Sequence, residues 1–166
     1  KPEDQRKDTW WMAAERYGLE EKLAKVPGMV FYGEVFGQVQ DLKYGSKPGD
    51  VFLAIFDALA LPETVKLSAA EYINSPLAGL SFKIGWQDDA DLRALCDALG
   101  LLMAPLVYEG PWDSEKVYEL RNGPSLWEGA DHLREGVVVR PKVEREHPRL
   151  GRVVLKLVGE DYKLRK

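Results

Sequence analysis

A chain of 166 residues, 45% hydrophobic and 30% charged with a net charge of -4, has the balance of a soluble globular domain able to bury one sizeable core. No apolar run approaches a membrane span, nothing at the start resembles a secretory signal, and the lone Cys96 excludes an internal disulfide and a thiolate zinc cluster. The expectation is an intracellular, cytoplasmic monomer with no membrane partner.

Asp8-Thr9 can start a helix that puts Trp10, Ala13, Ala14 and Tyr17 on one face, with Gly18 as a natural stop and a further helical turn or two before Pro27-Gly28. Met29 to Gln40 reads as a strand in which Gly33 and Gly37 mark bends or close backbone approach. Gly45 and Pro48-Gly49 make a loop, and Asp50 to Ala58 is a second strand with Phe52, Ala54 and Phe56 on one face. The clearest helix is capped by Asp88 or Asp89, carries Leu92, Leu95, Cys96 and Leu99 at helical spacing, and ends at Gly100. Cys96 lies on its apolar face, so it is read as packing.

Ala104 to Gly110 reads as the next strand, followed by a polar helix from Asp113 to Leu120. Gly136 to Arg140 and Arg152 to Val158 are the last strands. Val137, Val138 and Val139 suggest a strand buried on both faces, yet Arg134-Glu135 and Arg140-Pro141-Lys142 frame them with charge. From Arg134 onward there are ten Lys/Arg against five Asp/Glu, whereas the first 133 residues hold 13 against 22. Such a segment suits local phosphate contact better than general polyanion binding, with solvated surface as the plain alternative. His132 and His147 are too isolated for a metal site and are read as surface. No dinucleotide-binding or Walker-type glycine loop occurs. Neighbouring strands with interspersed helices favour an α+β fold with largely antiparallel sheets.

Four segments, "FYGEVFG" (Phe31 to Gly37), "FLAIFD" (Phe52 to Asp57), "EGVVVRP" (Glu135 to Pro141) and "VVLKLV" (Val153 to Val158), stand in the order found in covalent nucleotidyltransferases. Together they resemble an ATP-dependent RNA ligase, and "EGVVVRP" with "LKLVGEDYKLRK" points to RNA ligases rather than DNA ligases or capping enzymes. The resemblance implies a ligase-type nucleotidyltransferase (adenylation) domain with antiparallel sheets and flanking helices. It also implies chemistry: a lysine attacks the α-phosphate of ATP, AMP passes to a 5′-phosphate, and a 3′-hydroxyl displaces it, with Mg²⁺ or Mn²⁺ offsetting the charge. The partner would be RNA, including a nicked duplex or an RNA-DNA hybrid.

By resemblance, Glu34 would hydrogen-bond the adenosine ribose; otherwise it is a strand-edge carboxylate. Phe56, favoured over Phe52, would stack on adenine; core packing is the alternative for either ring. Glu135 would serve the divalent metal, directly or through water. Lys156 would contact the α-phosphate, unless it is a lysine snorkelling from the open face of a sheet. Arg140 and Lys142 are candidates for phosphate or substrate contacts or for solvated surface.

Two features depart from the family pattern. Val154 stands where many relatives carry a first lysine of a Lys-x-Lys pair, leaving Lys156 alone unless Arg152 compensates. No lysine ahead of Glu34 has the Lys-x-Asp-Gly or Lys-x-His-Gly context of the nucleophile, and Lys43, Lys47 and Lys83 fail by spacing or order. The expectation is that residues 1–166 are most of one nucleotidyltransferase domain, that its N-terminal part is missing, and that the fragment alone does not adenylylate itself. A nucleotide- or RNA-binding module that lost the nucleophile, and a related DNA ligase or capping guanylyltransferase, remain alternatives.

Overall fold

A computed structural model describes residues 8–37, 42–62 and 77–164. Two short helices, α1 (Thr9–Arg16) and α2 (Leu19–Leu23), lead into the strands β1 (Met29–Gly37) and β2 (Val51–Ala60). The Asp8 carboxylate caps α1 by accepting from the Trp10 amide at 2.8 Å. Ala13 is the buried residue of α1, but Trp10 stays 64% exposed, so the expected apolar face is narrower than the spacing suggested. The expected strand residues 38–40 lie outside the described residues.

β1 and β2 pair antiparallel along their length, with one irregularity that matters. Tyr32 faces Asp57 and Gly33 faces Ile55, so Phe56 has no partner on β1 and forms a bulge. Val51, Leu53 and Ile55 point into the core before the bulge, and Ala58 and Ala60 after it. Gly33 is the residue that permits this: a Cβ there would sit 2.9 Å from the Ala54 carbonyl oxygen and 3.0 Å from Ile55 Cδ1. A two-residue strand, β3 (Gly85–Trp86), too short to show a strand period, extends the sheet beyond β2.

Helix α3 (Asp89–Leu99) covers the core face. Its Leu92, Leu95, Cys96 and Leu99 are all buried, as their spacing requires, and each buried leucine stabilises the fold by roughly 1.5–3 kcal/mol. Burial pushes the Cys96 thiol up to about 12, so it packs rather than reacts. Leu102 to Ala104 then runs beside β2: the Ile55 amide donates to the Leu102 carbonyl (2.7 Å) and the Ala104 amide to the Ile55 carbonyl (2.9 Å). Pro105 follows, and the strand expected over Ala104 to Gly110 does not form, because proline has no amide hydrogen to continue the ladder. Helix α4 (Ser114–Leu120) is capped by Asp113, whose carboxylate accepts from the Lys116 amide at 3.1 Å.

The C-terminal part forms two further antiparallel pairs. β4 (Gly136–Val139) pairs with β7 (Leu155–Val158), and β5 (Glu146–His147) with β6 (Gly151–Arg152). The single strand expected from Arg152 to Val158 is therefore two, broken where the Val154 amide turns back to the Arg152 carbonyl at 3.1 Å. β4 is not buried on both faces either: Val138 is 62% exposed on a sheet of only two strands. A last short helix, α5 (Glu160–Leu164), had no periodicity long enough to be read from sequence. Among the described residues every ladder is antiparallel, in keeping with the expected α+β class, apart from a parallel bridge between Ile55 and Met103.

Candidate functional site

The outer face of the β1–β2 sheet and the β4–β7 pair wall a cavity of about 1320 Å³. Glu34, Phe56, Glu135 and Lys156 all line it. The bulge explains the position of Phe56: released from pairing, it is 48% exposed and lines the cavity. Phe52 parts from it, its ring 5.5 Å from that of Phe36 and 5.7 Å from that of Trp127.

Glu135 and Lys156 both act electrostatically on Glu34. Enclosure by the cavity walls raises the Glu34 carboxyl above its usual range, the charge of Glu135 raises it further, and Lys156 pulls the other way. Lys156 stands opposite Val138 on the open face of β7, where it is exposed and has no ion pair among the described residues. It is thus not a charge sunk in a buried strand, since Val154 and Leu155 beside it are 39% and 47% exposed. Its ammonium is free to meet an anion entering the cavity.

Glu135 precedes β4, and its carbonyl accepts from the Gly159 amide at 2.7 Å. The Tyr162 hydroxyl of α5 donates to its Oε1 at 3.0 Å, which fixes the side chain while Oε2 receives no hydrogen bond from a described residue. Tyr162 is a site residue that sequence reasoning missed; the only cue was its place in "GEDYK" just after the last motif. Among the described residues, no group of three or more His, Cys, Asp or Glu gathers to hold a metal ion. Two like-charged carboxylates at one cavity suit a hard cation that takes most of its oxygen ligands from phosphate and water, as Mg²⁺ does.

Arg140 and Arg152 have different work from that expected. Arg140 binds Asp57 (3.3 Å) and Asp89 (2.9 Å), while Arg152 binds Glu144 through two contacts (2.6 and 2.7 Å), binds Asp57 as well, and lies 4.0 Å from the Trp86 ring centroid. Burial alone would raise Asp89, but hydrogen bonds from Arg93 and Arg140 hold its pKa below the usual range. Arg140 is therefore neither a free phosphate ligand nor solvated surface, and Arg152, occupied in this way, does not replace the lysine lost at Val154. Lys142 is exposed and pairs with Glu109 at 2.8 Å. The network ties β2, α3 and the β4–β6 segment together, and Asp57, Asp89, Arg140 and Arg152 form part of the cavity wall. His147 is exposed as expected; His132 is half-buried, its ring 4.4 Å from that of Tyr44.

The family model for RNA ligases matches residues 1–158. The chain belongs to the RNA ligase family. Two solved structures of an RNA ligase from Naegleria gruberi share the fold. One, a glutamate-to-alanine mutant with AMP and manganese, matches at a TM-score of 0.64 and 16% identity, covering 93% of this chain and 40% of that one. The other, an aspartate-to-alanine mutant without ligand, matches at 0.62 and 18% identity over 92% of this chain and 38% of that one. The RNA ligase family chain described here thus spans about two-fifths of the length of those proteins. No curated protein sequence matches it. Among the described residues no helix is long and apolar enough to cross a membrane.

Proposed function

We propose that this chain is most of the nucleotidyltransferase domain of an ATP-dependent RNA ligase, acting as a monomer in the cytoplasm on RNA 5′-phosphate and 3′-hydroxyl ends, as at a nick or a break. The observation that carries the reading is the meeting of Glu34, Glu135, Lys156 and Phe56 at one cavity, from segments far apart in the chain. Each side chain has a chemical part to take. Phe56 offers an exposed ring for adenine, and Glu34 a carboxylate for the ribose hydroxyls. Lys156 offers a cation for the α-phosphate, whose negative charge grows during transfer. Glu135, oriented by Tyr162, would hold Mg²⁺ or Mn²⁺, which would neutralise phosphate charge when bound. A structural neighbour containing AMP and manganese supports this cofactor set.

The nucleophile is the open component. A Lys-x-Asp-Gly or Lys-x-His-Gly segment is not in this sequence, so residues 1–166 by themselves are expected to bind adenine nucleotide without forming lysyl-AMP. Incubation with labelled ATP and Mg²⁺ tests that: covalent label on these residues would overturn it. In the complete protein, Glu135→Ala should abolish sealing of a nicked duplex, and retained sealing would refute the metal role. A binding module that lost its nucleophile predicts nucleotide binding without turnover in the complete protein as well. Family membership favours the RNA ligase over the DNA ligase and capping-enzyme readings.

A further inference from the structure

Five arginines are half-buried among the described residues: Arg93, Arg121, Arg134, Arg140 and Arg152. Four of them have a carboxylate partner: Asp89 for Arg93, Glu160 for Arg121, Asp57 and Asp89 for Arg140, and Asp57 and Glu144 for Arg152. Arg134 has none. Its Nε and Nη1 are shielded from solvent and lack any hydrogen-bond partner, although the side chain contributes to the wall of the cavity that holds Glu34, Glu135 and Lys156. A guanidinium is always charged, and removing it from water without a counter-charge is unfavourable.

The backbone is shaped around this side chain. The Arg134 amide donates to the Gly123 carbonyl at 3.0 Å, which draws the loop ahead of Ser125 against it. Gly123 has φ +113, and a Cβ there would stand 2.8 Å from Arg134 Nη2. A side chain at residue 123 would thus be strained in its backbone and would press on the guanidinium. The niche is made to seat an arginine, and no described residue supplies an acid to neutralise it. The compensating anion is then one that comes and goes.

We propose that Arg134 is an anion-binding residue that takes a phosphate group on its guanidinium at Nη2, the nitrogen that is not shielded, separate from the α-phosphate contact assigned to Lys156. A guanidinium is more weakly hydrated than an ammonium, and its N–H donors suit phosphate oxygens better. The phosphate has two possible sources in the proposed reaction: the outer phosphates of ATP or the 5′-phosphate of the RNA strand. The proposal rests on the nucleotide reading of the cavity for its setting, but the unpaired guanidinium stands without it.

The test uses this chain as it is, labelled with ¹⁵N at arginine side chains, with magnesium pyrophosphate and 5′-phosphorylated RNA as separate probes. One of them should shift the Arg134 Nε–Hε resonance at saturation, and that probe identifies the source. Arg134→Gln should weaken the same probe about ten-fold or more, as expected for loss of a charge-assisted pair, while leaving AMP binding within about two-fold. RNA bearing a 5′-hydroxyl serves as the control and should bind both forms alike. The proposal is overturned if neither probe moves the resonance, or if Arg134→Gln weakens AMP and 5′-hydroxyl RNA as much as the phosphorylated probes. Should the variant fail to fold, the wild-type resonance decides. Should AMP not bind at all, the nucleotide reading fails while the response to pyrophosphate and RNA still judges Arg134.

Discussion

The hydroxyl of Tyr162 holds Oε1 of Glu135 at 3.0 Å, linking the short helix after the last strand to the carboxylate assigned to the metal. Partners of this kind orient a ligand and keep its remaining oxygen directed at the ion. Tyr162→Phe removes the hydroxyl and little else. Mn²⁺ titration of AMP binding should show the metal midpoint rising by about ten-fold, with the melting temperature nearly unchanged. An unchanged midpoint would make the contact merely structural.

Glu34 carries a stability consequence with a definite sign. Burial, reinforced by Glu135 and opposed by Lys156, raises its folded-state pKa above the ordinary glutamate value of 4.5. The folded chain therefore holds that proton to higher pH than the unfolded chain, and stability falls as pH rises from the ordinary value through the raised one. Glu34→Gln removes this penalty. It should melt at a higher temperature than the wild type at pH 7, with the gain disappearing below pH ~4. A gain of the same size at both pH values would show that ionisation is not its source.

The two phenylalanines of "FLAIFD" should separate in their effects. Phe56 is half-exposed in the cavity, so Phe56→Ala should leave the melting temperature close to wild type and weaken AMP by about ten-fold, the scale of a lost base-stacking contact. Phe52 packs on Phe36 and Trp127, so Phe52→Ala should cost stability, by about 1–3 kcal/mol for a partly buried aromatic. Urea unfolding and calorimetric binding on both variants check the contrast; the reverse pattern would place adenine elsewhere.

Asp57 joins two arginines in the cavity wall and is 7% exposed. Asp57→Ala leaves Arg140 and Arg152 short of a counter-charge and should destabilise the fold by about 3–5 kcal/mol. Lys142→Ala, which breaks an exposed pair with Glu109, should change stability by less than about 1 kcal/mol. Urea unfolding of the two variants compares them directly, and a small effect at Asp57 would remove the network from the forces holding the cavity walls.

What the sequence revealed, and what it hid, follows from the range of each interaction. Helix α3 was legible because Leu92, Leu95, Cys96 and Leu99 repeat at the helical period and Gly100 stops them, all within one local window. Glu34, Glu135, Lys156 and Phe56 could be singled out because their motifs are short and occur in order. The bulge at Phe56 was hidden, since it depends on the register of β1 against β2 rather than on either strand alone. The apolar run around Val153 and Val154 concealed the break between β6 and β7. The destinations of Arg140 and Arg152 were hidden for a similar reason: apart from Glu144, eight residues from Arg152, their acids Asp57 and Asp89 lie in β2 and α3, and only the assembled fold brings them together.

The central claim is that Glu34, Phe56, Glu135 and Lys156 form one adenine-nucleotide site. Calorimetric titration of AMP and of adenosine, with Mn²⁺ present, into the wild-type chain and Lys156→Met tests it most directly. The wild type should bind AMP more tightly than adenosine, and Lys156→Met should remove most of that difference while binding adenosine unchanged. Equal affinity of the wild type for AMP and adenosine, or an AMP preference that survives Lys156→Met, would contradict the account.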